Sequence, residues 1–146
     1  MSDTGVQVFD TTIHKTDMWL KDVMEELGLD NKHLAYVALR SVLHTLRDRL
    51  PVEEAADLGA QLPMLVRGFY YDAWNPADNP VKFNEDEFLS IVGQQFLNEP
   101  DINSEEIIRA VFHVIDKHIA YGEIEDIKSS LPAELRDFWE SQSISE

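Results

Sequence analysis

The stretch QLPMLVRGFYYDAW (61–74) is answered near the end of the chain by SLPAELRDFW (130–139). Leu-Pro recurs, an Arg follows four residues after each proline, a Phe two further on, and a second aromatic closes each phrase. Displacing the numbering by 69 lays residues 17–70 over 86–139 without a gap. Asp17, Leu20 and Val23 fall on Asp86, Leu89 and Val92, and Arg40, Val42 and His44 on Arg109, Val111 and His113. Glu54, Asp57, Arg67 and Phe69 fall on Glu123, Asp126, Arg136 and Phe138. Self-similarity at a constant offset is the mark of an internal duplication.

Each unit carries helical spacing. Leu39, Val42, Leu46 and Leu50 step by three and four residues and draw one stripe; Ile108, Val111, Ile115 and Ile119 draw the same one. Asn84 stands three residues before Glu87 in a capping-box arrangement, and Asn103 or Ser104 suits the start of EEIIRAVF. Proline fixes φ and lacks an N–H, so Pro63 and Pro132 fit the first turn of a helix. The residue before each is pushed towards extended geometry. A short helix (about 53–60, and 122–129) must therefore stop there and the chain turn a corner. Beyond it, Val66, Phe69 and Tyr70 form an apolar face, as do Leu135, Phe138 and Trp139.

The expected fold is all-α: two four-helix units, 17–70 and 86–139, packed as a pseudo-two-fold bundle around one shared core. The joint NPADNPVKFN (75–84) has two prolines and three asparagines and reads as a loop. With 146 residues the expected organisation is a single domain, 1–146, since a unit of half that size buries too little surface to stand alone.

The formal charge is -16. That disfavours direct binding to nucleic acid, which rests on Lys and Arg displacing counterions. Residues 17–74 hold ten acids against six Lys/Arg, and residues 86–146 fourteen against four, so the second half carries the more negative field. No apolar run approaches the roughly 20 residues of a membrane span. The N-terminus MSDTGVQVFDTTIHKT shows no export leader, and the chain has no cysteine, so a cytoplasmic location is expected.

Three groups of residues are candidates for chemistry or contact. The repeated charges Arg40, Glu54, Asp57 and Arg67, with Arg109, Glu123, Asp126 and Arg136, are expected to form an ion-pair network tying three helices together in each unit. The alternative for Arg40 and Arg109 is an anion pocket on the pseudo-two-fold axis. His44 and His113 lie about 140° from the apolar stripe, flanking the core; brought together at the axis they would bind a metal with acidic co-ligands. Tyr71, Asp72 and Trp74 lie past the aligned apolar face and are the candidate contact surface, unless Trp74 folds back over the junction. No GxSxG, GxxxxGK[ST] or GxGxxG motif occurs, nor an HExxH, so no catalytic residue and no cofactor is expected.

Residues 38–74, ALRSVLHTLRDRLPVEEAADLGAQLPMLVRGFYYDAW, together with 109–139, RAVFHVIDKHIAYGEIEDIKSSLPAELRDFW, resemble the bacterial domain-of-unknown-function family numbered 2267. The resemblance covers about residues 17–139. It implies a small, soluble, all-helical bacterial protein with no established enzymatic activity, and so no functional residue to carry over. The expected function is a non-catalytic acidic helical module acting through protein contacts, with itself or another protein. The alternative is a small-molecule or metal site at the inter-repeat axis, with or without catalysis, built on Arg40, Arg109, His44 and His113.

Overall fold

Helix α1 (Gln7–Leu27) ends where Gly28 adopts φ 66°, a left-handed cap that glycine takes without steric cost. Helix α2 (Lys32–Arg49) starts at Asn31, whose side chain accepts from the Leu34 N–H. Two short helices follow, α3 (Val52–Ala60) and α4 (Met64–Tyr71). Then come α5 (Glu85–Gly93), α6 (Ser104–His118), α7 (Tyr121–Ser129) and α8 (Ala133–Glu140). The computed structural model describes residues 4–140; of the expected span 1–146, residues 1–3 and 141–146 lie outside it. Among the described residues the chain is all-helical: eight α-helices, two short 3-10 turns and no strand.

The local signals act much as expected. Asn84 accepts from the Glu87 N–H at 2.8 Å while the Glu87 carboxylate accepts from the Asn84 N–H at 2.8 Å, completing the capping box of α5. Asn103, not Ser104, caps α6 by accepting from the Glu106 N–H. Pro63 and Pro132 sit one residue earlier than expected. Each precedes the first helical residue, and its carbonyl accepts from the N–H of Arg67 or Arg136. The fixed φ of proline serves this position as well as the first turn, and the missing N–H costs nothing there.

The joint 75–84 is not wholly irregular. Asn75 accepts from the Ala77 N–H and caps a 3-10 turn at Pro76–Asp78. Asn79 then anchors the joint: its amide donates to the carbonyls of Arg47 and Leu50, at 2.7 and 2.8 Å. The Val81 N–H donates to the Asp48 carbonyl at 2.7 Å. The C-terminal carbonyls of α2, orphaned by the helix end, thereby find donors.

The buried apolar residues form one contiguous cluster drawn from both halves of the chain. Leu39, Val42, Leu46 and Leu50 from the first stripe and Ile108, Val111 and Ile115 from the second all lie within it. Helix α1 packs on α2 and α6, α2 on α5 and α6, and α3 on α7. No helix among the described residues is long and apolar enough to cross a membrane.

Candidate functional site

The repeated arginines do not meet the acids of the short helices. Arg67 donates from Nε to the Gly59 carbonyl at 3.1 Å and from Nη2 to that of Leu62 at 2.8 Å. Arg136 donates from Nη1 to the carbonyls of Lys128 and Leu131, the residues that lie over Gly59 and Leu62 at the offset of 69. Arg109 binds Glu105 one turn away at 2.7 Å and the carbonyls of Asp137 and Phe138. Arg40 pairs with Asp72 at 3.0 Å. The expected pairing with Glu54, Asp57, Glu123 and Asp126 is therefore corrected: Arg40 and Arg109 pair with Asp72 and Glu105 instead. Arg67, Arg136 and Arg109 hold carbonyls at helix ends, because a helix leaves its last carbonyls without partners and a guanidinium can satisfy two at once. Replacing Arg67 by Met should cost about 1 kcal/mol in urea unfolding, the net value of such bonds at a half-open site.

The carboxylates meet one another instead. Glu54 on α3 and Glu123 on α7, with Asp126, bring one oxygen each within 4.8 Å. Oε2 of both glutamates is buried, and no N–H or hydroxyl among the described residues donates to it. Burial, and then the bond to Glu54 and the charges of Glu54, Asp57 and Asp126, push the Glu123 carboxyl up to about 7. An all-oxygen group of this kind suits a hard cation in principle. A carboxyl raised to about 7 is partly protonated at neutral pH, which relieves part of the repulsion.

The two histidines go separate ways. His44 Nε2 lies 2.6 Å from the Phe69 carbonyl in α4, whereas His113 Nδ1 lies 2.9 Å from a Glu26 carboxylate oxygen in α1. Among the described residues neither belongs to any group of three metal-ligating side chains. The axial site with Arg40, Arg109, His44 and His113 together is not assembled, because each arginine and each histidine is turned to a partner on a neighbouring helix. His44 and Arg40 do line a cleft of about 280 Å³ between α2 and α5.

Tyr71 and Trp74 do not project as a free surface. Both are half-buried against the core and stack at 5.4 Å. Trp74 Nε1 donates to Asn79 Oδ1 at 2.8 Å, so the ring folds back on the joint. Asp72 is exposed and held by Arg40. Exposed apolar side chains lie elsewhere: Leu97 and Tyr121 stand out singly at 80% and 78%, while Val8 and Phe9 on α1 and Met64 and Leu65 on α4 are each between 45% and 49% exposed.

A family model described as an uncharacterized conserved protein, DUF2267, matches residues 16–138. The chain belongs to the DUF2267 family. No curated protein matches it. The matched span contains every capping arginine and the Glu54–Glu123 pair, but leaves out the start of α1, which carries Val8 and Phe9.

Two residues of this DUF2267 chain carry more than their sequence suggests. Arg47 is 4% exposed and donates from Nη1 to the carbonyls of Tyr70 at 2.7 Å and Asp72 at 3.1 Å, with Nε on Asp48 at 2.8 Å. It thus closes the C-terminus of α4. His118 binds Asp22 at 2.7 Å and stacks on Trp19 at 4.7 Å, joining α6 to α1. Arg47 lies one position beyond Leu46 in the apolar stripe, a placement that hinted at burial. Nothing in the spacing pairs His118 with Asp22, which lies far away along the chain.

Proposed function

We propose that the chain is a non-catalytic helical module, a duplicated pair of four-helix units, that works by contact with a second copy of itself. The observation that carries this is the exposed apolar corner made by α1 and α4. The Leu65 N–H donates to Thr12 Oγ1 at 2.8 Å, which sets the first turn of α4 beside Thr12. Val8 and Phe9 lie one turn before Thr12 on the same side of α1. Val8, Phe9, Met64 and Leu65 therefore gather in one place, and clustered exposed apolar side chains mark contact surfaces.

Charge favours a second copy there. The chain carries -16, yet residues 6–21 balance Asp10 and Asp17 with Lys15 and Lys21, and Arg67 is the one charged residue of α4. Two copies meeting at this corner bring balanced charge and α4's single Arg67 into contact, in the self-complementary manner of a two-fold dimer. The cysteine-free, acidic composition suits work in the cytoplasm.

Support for the duplication comes from matched positions. At a shift of 69, Val52–Ala60 falls on Tyr121–Ser129 and Met64–Tyr71 on Ala133–Glu140. Arg67 and Arg136 cap matched carbonyls, and Glu54 faces its own counterpart Glu123 across α3 and α7. A residue opposite its equivalent is what a two-fold relation produces. The single buried cluster supports one domain with a shared core.

Light scattering coupled to size exclusion tests the contact. The wild type should run as a dimer, more fully as salt screens the like charges. Phe9→Glu with Leu65→Glu should run as a folded monomer. A wild-type monomer at every salt concentration would remove the proposal.

A further inference from the structure

Apart from the contact corner, the cleft between α2 and α5 has the chemistry of a ligand site. Its volume of about 280 Å³ is that of a small metabolite pocket. Its apolar lining comes from Tyr36 of α2, Phe83 of the joint and Ile91 of α5. Beside Tyr36 on the same face of α2 stand Arg40 and His44, with the Arg47–Asp48 pair further along, and Gln95 follows Ile91.

Each polar group has capacity to spare. Arg40 uses Nη2 for Asp72, and among the described residues its Nε and Nη1 have no partner. Gln95 is exposed and its amide has none. The carbonyl of Phe69 can only accept, so His44 donates to it from Nε2 and leaves Nδ1 as an open acceptor. Burial holds His44 below its ordinary value, against the bond to Phe69, and the Arg47 and Arg40 charges add to the depression. Two arginines, Arg40 and Arg47, line the cleft against one acid, Asp48, which pairs with Arg47, while Asp72 holds one N–H of Arg40.

We propose that the cleft binds a small organic carboxylate with an apolar or aromatic body and an O–H or N–H donor beside the acid group. The carboxylate accepts from Arg40 at an N–H that Asp72 leaves open, a charge-assisted bond. The body covers Phe83 and Ile91, and the neighbouring donor serves His44 Nδ1. Inorganic phosphate shares the charge but has no body to cover the apolar lining.

Salicylate is a direct probe, since it has the acid, the ring and the adjacent hydroxyl. Amide NMR titration of the full chain should show saturable shifts confined to residues of α2, the joint and α5. Salicyl alcohol, which lacks the charge, and inorganic phosphate, which lacks the ring, should give none. Arg40→Gln should weaken salicylate at least about tenfold, as loss of a charge-assisted hydrogen bond implies. Gln95→Trp, at an exposed position that leaves the core intact, should block the cleft and abolish binding while the unliganded melting temperature stays unchanged. Shifts scattered over the surface, equal binding by Arg40→Gln, or phosphate binding as well as salicylate would each overturn the assignment. So would no saturable shift at all. None of these outcomes depends on the dimer, because Arg40 and Gln95 lie apart from Phe9 and Leu65 in sequence and in helix.

Discussion

Arg47→Met should lower stability by about 2–4 kcal/mol, the largest loss expected from a single polar substitution in this chain. Methionine keeps the apolar stem that packs in the core, so the variant isolates the guanidinium. What disappears is a buried fork that satisfies the Tyr70 and Asp72 carbonyls at the end of α4 and also holds Asp48. Its removal strands acceptors away from water, and stranded groups cost more than the bond itself contributes. In urea the midpoint should fall with the slope unchanged, because the surface exposed on unfolding stays the same. The melting temperature should drop by about 10 °C. Arg49→Met is the control. Arg49 donates to the Phe83 carbonyl at 3.2 Å and makes no further hydrogen bond, so its loss should stay within about 1 kcal/mol. A normal midpoint for Arg47→Met would show that water or a backbone shift replaces the guanidinium.

Glu123→Gln should stabilise the protein at pH 8 and abolish part of its pH dependence. The folded pKa of Glu123 is raised from 4.5 to about 7, mainly by burial and next by the bond and charge of Glu54. A carboxyl raised on folding favours the protonated native state. Its contribution is fully present below pH 4.5 and is lost as pH rises through about 7. Above that, two like charges face each other across α3 and α7, with Asp57 and Asp126 close by. Glutamine keeps the shape and a hydrogen-bond donor without the charge. Discounted for partial solvent access, the gain at pH 8 is about 1–2 kcal/mol. The difference between variant and wild type should shrink towards zero as pH falls below the ordinary carboxyl range. Using that difference removes the general relief of repulsion that all 28 acids give on acidification. Glu54→Gln should produce the same curve, and the double variant should add little, since one proton serves the pair. Parallel stability profiles for wild type and Glu123→Gln would falsify the coupling.

The helices were legible before any coordinates because their signals are local. Proline's φ, the three-four spacing of Leu39 to Leu50, and the Asn84–Glu87 box all act within a turn or two of chain. The short helices expected at about 53–60 and 122–129 appear at Val52–Ala60 and Tyr121–Ser129. The repeated charges were legible as repeated, but their partners were not. Reading Arg67 against Glu54 and Asp57 assumed that opposite charges seek each other. The backbone carbonyls left open at a helix end were the nearer partners. Those carbonyls are invisible in a sequence, since every residue has one and only the fold decides which are orphaned.

The same reasoning separates the corner from the contact face. Tyr71 and Trp74 lie beyond the repeated apolar positions, so the sequence leaves open both a free contact face and a ring folded back over the junction. Trp74 folds back on Asn79 in the joint, and Tyr71 stacks on Trp74 and reaches the Ala56 carbonyl of α3. Phe9 was passed over because α1 extends well before Asp17, where the repeat begins.

By itself the sequence determined that this chain is helical, where most of its helices begin and end, and that one phrase is written twice. Propensity, capping and proline geometry are short-range forces that act before the chain is folded. Only the tertiary structure decided that Arg47 is buried, that the arginines close helix ends, that Glu54 meets Glu123, and that a cleft opens beside His44. Those outcomes depend on which surfaces are brought together and shut off from water, and burial is a property of the whole fold.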